Sequence, residues 1–136
     1  MVNKYLNVKL LDIKNLIKID SKGIPVSSLG YAAPEMYTNN YDTRSDIYSI
    51  GVLLWEMINH KCLQKVQFER HIDFEFLEKP PHCSEKLWRI IIKATEYSPN
   101  KRYQKAEDFL KDIRRCWEYK CNRLKVNPNP ELFMNI

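Results

Sequence analysis

The hydrophobic positions in the middle of the chain predict one strongly apolar helix. Residues 47–58 are apolar on nearly every side, and they follow Asp42-Thr43-Arg44-Ser45, whose side chains are typical of helix starts. A helix that is apolar all round is expected to be buried all round, so this should be the central helix of the domain. Gly51 within a helix costs about 1 kcal/mol relative to Ala, which predicts close packing against it.

Two more helices are predicted towards the C-terminus. Ser84 is a suitable N-cap for the first of them, and Ser98-Pro99-Asn100 is expected to end it. Its apolar positions are Leu87, Trp88, Ile91 and Ile92. The last helix runs from about 104 to 124, with apolar residues at three- and four-residue steps. The prolines at 128 and 130 stop any continuation.

The remaining segments are less regular. Residues 6–11 read as a short strand that ends at Asp12, and residues 13–29 contain the Gly, Pro and Ser residues typical of a loop. A loop of that length inside a compact domain usually has a function. Residues 62–83 are poorly periodic and are predicted to hold a short helix near 66–72.

Composition places the chain among single globular domains. It has 136 residues, of which 44% are hydrophobic, and no apolar run reaches the roughly 18 residues that span a bilayer. The N-terminus lacks the apolar core of a signal peptide, which favours a cytoplasmic protein. The four cysteines are therefore expected to be free, mostly buried thiols.

The net charge of +5 is spread along the chain. Nucleic acid is an unlikely partner, because no basic and aromatic recognition motif is present. A weaker alternative is that the basic last helix binds nucleic acid or a membrane surface through Lys111, Arg114 and Arg115.

Three short motifs occur together and in order. They are Tyr31-Ala32-Ala33-Pro34-Glu35, Asp46-Ile47-Tyr48-Ser49-Ile50-Gly51 and Ser98-Pro99-Asn100-Lys101-Arg102. The first resembles the Y-x-A-P-E that closes the activation segment of protein kinases, and the second the D-x-W/Y-S-x-G of their buried central helix. The third resembles the loop whose arginine pairs with the A-P-E glutamate. The chain thus resembles the second half of a kinase domain, and Val52-Leu53-Leu54-Trp55-Glu56-Met57 is most similar to the tyrosine-kinase-like and tyrosine-kinase branches.

The resemblance assigns structural roles to three residues. It brings Glu35 and Arg102 together although 67 positions separate them, and a bidentate carboxylate–guanidinium pair would fix their geometry better than a lysine could. Asp46 corresponds to an aspartate that braces the catalytic loop of kinases. From its position alone, Asp46 could equally be a helix-capping carboxylate.

The motifs that carry phosphoryl transfer are missing from the sequence. The three glycines form no G-x-G-x-x-G, and no His-Arg-Asp is present. Asp12 stands at the metal-binding position of a degenerate D-F-G, where Lys14 replaces the glycine and puts a positive charge beside the carboxylate. Asp12 is therefore expected to be a strand-end charge rather than a working Mg²⁺ ligand.

Ser28 is a possible phosphorylation site in the activation-segment-like loop. It stands where kinases commonly carry the Thr of G-T-x-x-Y-x-A-P-E. A phosphate there would lie close to Lys14, Lys18 and Lys22 and could order the loop. An unmodified polar loop is the more ordinary interpretation.

These observations predict a mainly α fold, the C-terminal lobe of a protein kinase-like domain with a short β remnant at its N-terminus. Residues 1–125 would be the partial kinase domain, with an activation-segment-like loop at 12–35, and 126–136 a tail. ATP and Mg²⁺ serve the family, but no cofactor is expected for this chain alone. The expected function is a non-catalytic, pseudokinase-like module that binds protein partners through its exposed upper face.

The alternative function is the C-terminal half of an active ATP-dependent Ser/Thr or Tyr kinase, whose N-lobe and catalytic loop are encoded upstream. Met1 lies eleven residues before Asp12, just after the place that the catalytic loop would occupy. A natural truncation and a split gene both remain open from the sequence.

Overall fold

The computed structural model describes residues 30–38, 40–59 and 79–124, and this part of the chain is helical. A 3₁₀ helix at Pro34–Thr38 is followed by α1 (Thr43–Asn59), α2 (Glu85–Ala94), a 3₁₀ turn at Pro99–Lys101, and α3 (Ala106–Leu124). No strand occurs among these residues, and the mainly α prediction is confirmed. The predicted strand at 6–11, the loop 13–29 and the short helix near 66–72 lie outside the described residues.

Short polar side chains begin the first two helices as the sequence predicts. At α1 the Asp42 carboxylate accepts a hydrogen bond from the Arg44 N–H at 2.8 Å, and Ser45 Oγ accepts one from the Asp42 N–H at 3.4 Å. At α2 the Ser84 hydroxyl accepts from the Leu87 N–H at 3.2 Å. These bonds satisfy N–H groups that have no partner inside a helix.

Two predicted helix boundaries are wrong by a few residues. Helix α2 ends at Ala94, before Ser98-Pro99-Asn100 is reached, because Thr95 caps it. The Thr95 N–H and hydroxyl both donate to the Ile91 carbonyl, at 3.0 and 2.9 Å. Helix α3 begins at Ala106, two residues later than expected.

The core lies where α1 faces α2 and where α2 faces α3. One cluster joins α1 and α2 and consists of Ala33, Tyr48, Val52, Trp55, Cys83 and Ile91. A second reaches α3 and consists of Ile47, Ile90, Ala94, Tyr103 and Phe109. Cys83 is buried and Cys116 is partly buried, and both are free thiols, in agreement with the sequence prediction.

Close packing against Gly51 is confirmed. A Cβ atom placed on Gly51 would lie 2.8 Å from Thr95 Cγ2 and 2.9 Å from Ala94 Cβ, inside van der Waals contact. The absence of a side chain therefore lets α1 approach the end of α2 closely, which offsets the cost of glycine inside a helix.

The prediction that α1 is buried all round is wrong. Ile50, Leu53 and Met57 are 46%, 47% and 63% exposed, and they follow one another along a single face, which we call the α1 stripe. The opposite face, with Tyr48 and Val52, is buried. Apolar periodicity shows which faces of a helix can be buried. The described residues cover only the face of α1 that contains Tyr48 and Val52.

Candidate functional site

The centre of the candidate site is an ion pair between the first 3₁₀ helix and the turn that precedes α3. Arg102 Nη1 lies 2.6 Å from Glu35 Oε1, and Arg102 Nη2 lies 2.8 Å from Glu35 Oε2. The side chains of Arg102 and Glu35 are 0% and 9% exposed. The structure therefore brings together, in bidentate geometry, two residues that lie 67 positions apart in the sequence.

Every N–H of the Arg102 guanidinium has an acceptor. In addition to Glu35, Nε donates to the Glu96 carbonyl at 2.7 Å, Nη1 to the Arg44 carbonyl at 3.1 Å and Nη2 to the Tyr97 carbonyl at 2.9 Å. The guanidinium carbon also lies 4.9 Å from the centre of the Tyr48 ring. An arginine has five such donors, so this buried charge is fully hydrogen-bonded.

Glu35 has a second donor on α1. The Ser45 hydroxyl donates to Glu35 Oε1 at 2.7 Å. Burial alone would raise the pKa of Glu35, but the hydrogen bonds from Arg102 and Ser45 outweigh it and lower the pKa below its ordinary value of 4.5. Glu35 is therefore held as a carboxylate that joins the 3₁₀ helix, α1 and the turn before α3.

A second network around Arg44 is one that the sequence reasoning missed. Arg44 Nε lies 3.0 Å from each Asp42 carboxylate oxygen, and Arg44 Nη1 donates to Asn100 at 2.8 Å and Gln104 at 3.0 Å. The hydrogen bond from Arg44 lowers the pKa of Asp42. The sequence marks Asp42 and Ser45 as helix-starting residues, but nothing in their spacing shows that Arg44 reaches the distant turn.

Tyr31 is fixed to α1 at both ends. Its carbonyl accepts a hydrogen bond from the Ser49 hydroxyl at 2.8 Å, and its own hydroxyl donates to Glu56 at 2.5 Å. Gly30 before it has a φ of 93°, a backbone conformation that residues with a side chain rarely adopt. The backbone of the A-P-E motif is thus held along α1.

Asp46 lies in the first turn of α1 but does not cap it, since Asp42 does so. Within the part of the chain that the structure describes, the Asp46 carboxylate has no hydrogen-bond donor, and the neighbouring protein raises its pKa by desolvation. The residue still reaches solvent at the N-terminal end of α1. The hydrogen-bonding cap is therefore made by Asp42, and the bracing role of Asp46 stays a prediction that rests on the resemblance.

The remaining predicted site residues, Asp12 and Ser28, lie outside the described residues. Over 30–38, 40–59 and 79–124, no group of three or more metal-ligating side chains is found. Among the helices of the same residues, none is both long and apolar enough to cross a membrane.

The fold and the buried ion pair together define a helical unit of the kind that forms the lower half of protein kinases. The family model for protein tyrosine and serine/threonine kinases matches residues 9–113. The chain therefore belongs to the protein kinase family.

Individual proteins that are similar to this chain are also named as kinases. A probable serine/threonine-protein kinase of Dictyostelium discoideum is 30% identical over 121 residues, which is 82% of this chain and 11% of that protein. A tyrosine kinase receptor of Drosophila melanogaster is 30% identical over 82 residues, 56% of this chain and 11% of the receptor. Human tyrosine-protein kinase Fer is 27% identical over 94 residues, 64% of this chain and 11% of Fer. The predicted similarity to the tyrosine-kinase-like and tyrosine-kinase branches is confirmed, although the chain spans only about a tenth of these relatives.

Proposed function

We propose that this chain acts as a non-catalytic, pseudokinase-like module that binds a protein partner, with residues 1–125 forming the partial kinase domain. Two features support the proposal: an apolar helix face that the described residues leave uncovered, and a sequence without the motifs of phosphoryl transfer. No cofactor is required for this function.

The main support for the proposal is the exposure of the α1 stripe. Ile50 and Leu53 are about half exposed and Met57 more so, at spacings of three and four residues. Contiguous exposed apolar side chains of this kind favour association with another surface. Methionine also adapts its shape readily to a partner. We take the α1 stripe as the centre of the partner-binding face.

The chemistry of catalysis is the second support. Phosphoryl transfer in kinases depends on a glycine-rich loop and on a catalytic aspartate in an H-R-D motif, and the sequence contains neither. The Glu35–Arg102 pair, by contrast, is an interaction within the fold and touches no reacting atom. The Glu35–Arg102 pair therefore organises the domain and is compatible with a binding role.

Matched substitutions test the partner-binding face. Leu53→Glu places a charge in the α1 stripe, whereas Leu110→Glu makes the same change on α3 at a leucine of nearly equal exposure, 46% against 47%. A protein partner recovered with the full chain, and then purified, should bind the unmodified chain and Leu110→Glu equally. It should bind Leu53→Glu at least about tenfold more weakly, or about 1.4 kcal/mol.

Two results would overturn the proposal. Equal binding by Leu53→Glu and Leu110→Glu would show that the α1 stripe is not the partner surface. Transfer of radiolabelled phosphate from ATP to a protein by the purified chain, above the background of a heat-denatured sample, would favour an active kinase instead.

A further inference from the structure

A polar cavity of about 320 Å³ is lined by residues of α2, of α3 and of the segment that precedes α3, and by none of the α1 stripe. Helix α2 contributes Lys93, and α3 contributes Asp108, Lys111, Asp112 and Arg115. Tyr103 and Gln104 form part of its wall, and Arg102 borders it. Positive side chains from α2 and α3 therefore lie together at this cavity.

Three of the four positive side chains at this cavity have no ion pair within the part of the chain that the structure describes. Arg102 is committed to Glu35, but among the described residues neither Lys93, Lys111 nor Arg115 has a carboxylate within 4.0 Å. The Lys93 ammonium lies over the Tyr103 ring, 4.1 Å from its centre. Lysine and arginine are positively charged at neutral pH. Three cations without a carboxylate partner among the described residues therefore line one opening.

The two carboxylates of the cavity are not equivalent. The Tyr103 hydroxyl donates to Asp112 at 3.0 Å, so that this carboxylate is already occupied. Burial, followed by the Asp112 carboxylate, raises the pKa of Tyr103, and the phenol therefore remains a donor at neutral pH. The Asp112 carboxylate keeps its negative charge, so Asp108 and Asp112 both oppose an anion, against the three positive charges of Lys93, Lys111 and Arg115.

We propose that this cavity binds a phosphate monoester dianion, held by Lys93, Lys111 and Arg115. A guanidinium donates two parallel hydrogen bonds to phosphate oxygens, and the two ammonium groups add point charges that tolerate different orientations. Lys111 and Arg115 lie one helical turn apart on the same side of α3, so both reach one anion. The cavity also leaves room for the group that carries the phosphate.

The basic residues of α3 differ in their relation to the cavity. Lys111 and Arg115 line it, whereas the neighbouring Arg114 is exposed and does not. Arg114→Gln thus removes the same charge from the same helix without changing the cavity. This variant separates a specific site from the general attraction of a basic protein for anions.

Titration of the full chain with inorganic phosphate, followed by ¹H–¹⁵N NMR, tests the proposal. Saturable shifts are expected at the amides of Lys93, Lys111 and Arg115. The dissociation constant should rise about tenfold in Lys111→Gln and in Arg115→Gln, which corresponds to about 1.4 kcal/mol, and less than twofold in Arg114→Gln. Asp108→Asn should bind phosphate more tightly, because it removes one of the two opposing carboxylates.

A parallel titration with N-acetylphosphoserine amide, with N-acetylserine amide as the uncharged control, distinguishes the source of the anion. Tighter binding than inorganic phosphate would support a phosphate monoester, and equal or weaker binding would overturn the monoester in favour of free phosphate. Shifts that do not saturate, or equal weakening by Arg114→Gln and Arg115→Gln, would overturn the site. Because the cavity shares no residue with the α1 stripe, its failure would leave the proposed partner binding untouched.

Discussion

At the scale of single residues, Arg102 shows how this fold tolerates a buried charge. The guanidinium is buried away from water. Two hydrogen bonds to Glu35 and three to backbone carbonyls take the place of its hydrogen bonds to water. Removing either partner would strand the other charge in a buried place, which is costly even where the pair itself adds little net stability.

Glu35→Ala and Arg102→Ala should each lower the free energy of unfolding by about 3–5 kcal/mol, because one charge of a buried pair is left uncompensated. The double substitution should be little worse than the worse single one, since the two losses share one interaction. Urea unfolding of the four proteins measures both effects. Small, additive losses would contradict the account.

Two further variants serve as controls for these substitutions. Arg102→Lys keeps the charge but has three donors instead of five, so it should recover little of the lost stability. Glu85→Ala breaks an exposed ion pair with Lys79 and should change stability far less than Glu35→Ala. If Arg102→Lys were as stable as the unmodified protein, the bidentate geometry would not matter.

The lowered pKa of Glu35 predicts a loss of stability in acid. Because its folded pKa lies below the unfolded value of about 4.5, its contribution is complete above that value and is lost as the pH falls through the folded pKa. The difference in unfolding free energy between the unmodified protein and Glu35→Gln should therefore shrink between pH 6 and pH 3. A difference that stays constant over this range would show that Glu35 is not stabilised as an anion.

At the scale of elements, α1 has two different faces although its sequence is apolar on both. Tyr48, Val52 and Trp55 are buried against the A-P-E segment and α2, whereas Ile50, Leu53 and Met57 are exposed. The buried face contributes to the stability of the unit, and the exposed face is the one that we propose for partner binding.

Gly51→Ala should destabilise the protein even though alanine favours helix formation. The new methyl group would overlap Thr95 Cγ2 and Ala94 Cβ, and overpacking of this kind costs about 1–3 kcal/mol. Thermal unfolding should show a lower melting temperature for Gly51→Ala and a partial recovery when Thr95→Ser removes one of the two contacts. Leu53→Ala, at an exposed position of the same helix, should have a much smaller effect. A stabilising Gly51→Ala would show that α1 and α2 do not approach this closely.

The three α-helices and the central ion pair could be predicted from the sequence because they depend on local signals and on motifs. Ser84 carries an N-cap signal, and the resemblance pairs Glu35 with Arg102. The contacts of Arg44 with Asn100 and Gln104 could not be predicted, since no sequence pattern marks the distant partner of a surface arginine. The exposure of Leu53 could not be predicted either, because it depends on which other residues cover that face of α1.

At the scale of the whole molecule, the described residues form three helices that meet in two apolar clusters and are tied together by Glu35 and Arg102. This unit belongs to the protein kinase family, and the function proposed for it is binding without phosphoryl transfer. The proposed function therefore predicts that this chain binds no Mg·ATP outside the anion cavity.

Thermal unfolding of the full chain at increasing concentrations of Mg·ATP tests this claim most directly, because a ligand that binds the folded state raises the melting temperature in a saturable way. A variant without the three cations of the anion cavity, which combines Lys93→Gln, Lys111→Gln and Arg115→Gln, is measured in parallel, since the cavity could hold the phosphates of ATP. We predict that this triple variant shows no saturable rise. A rise that saturates with Mg·ATP and persists in the triple variant would contradict the proposed function.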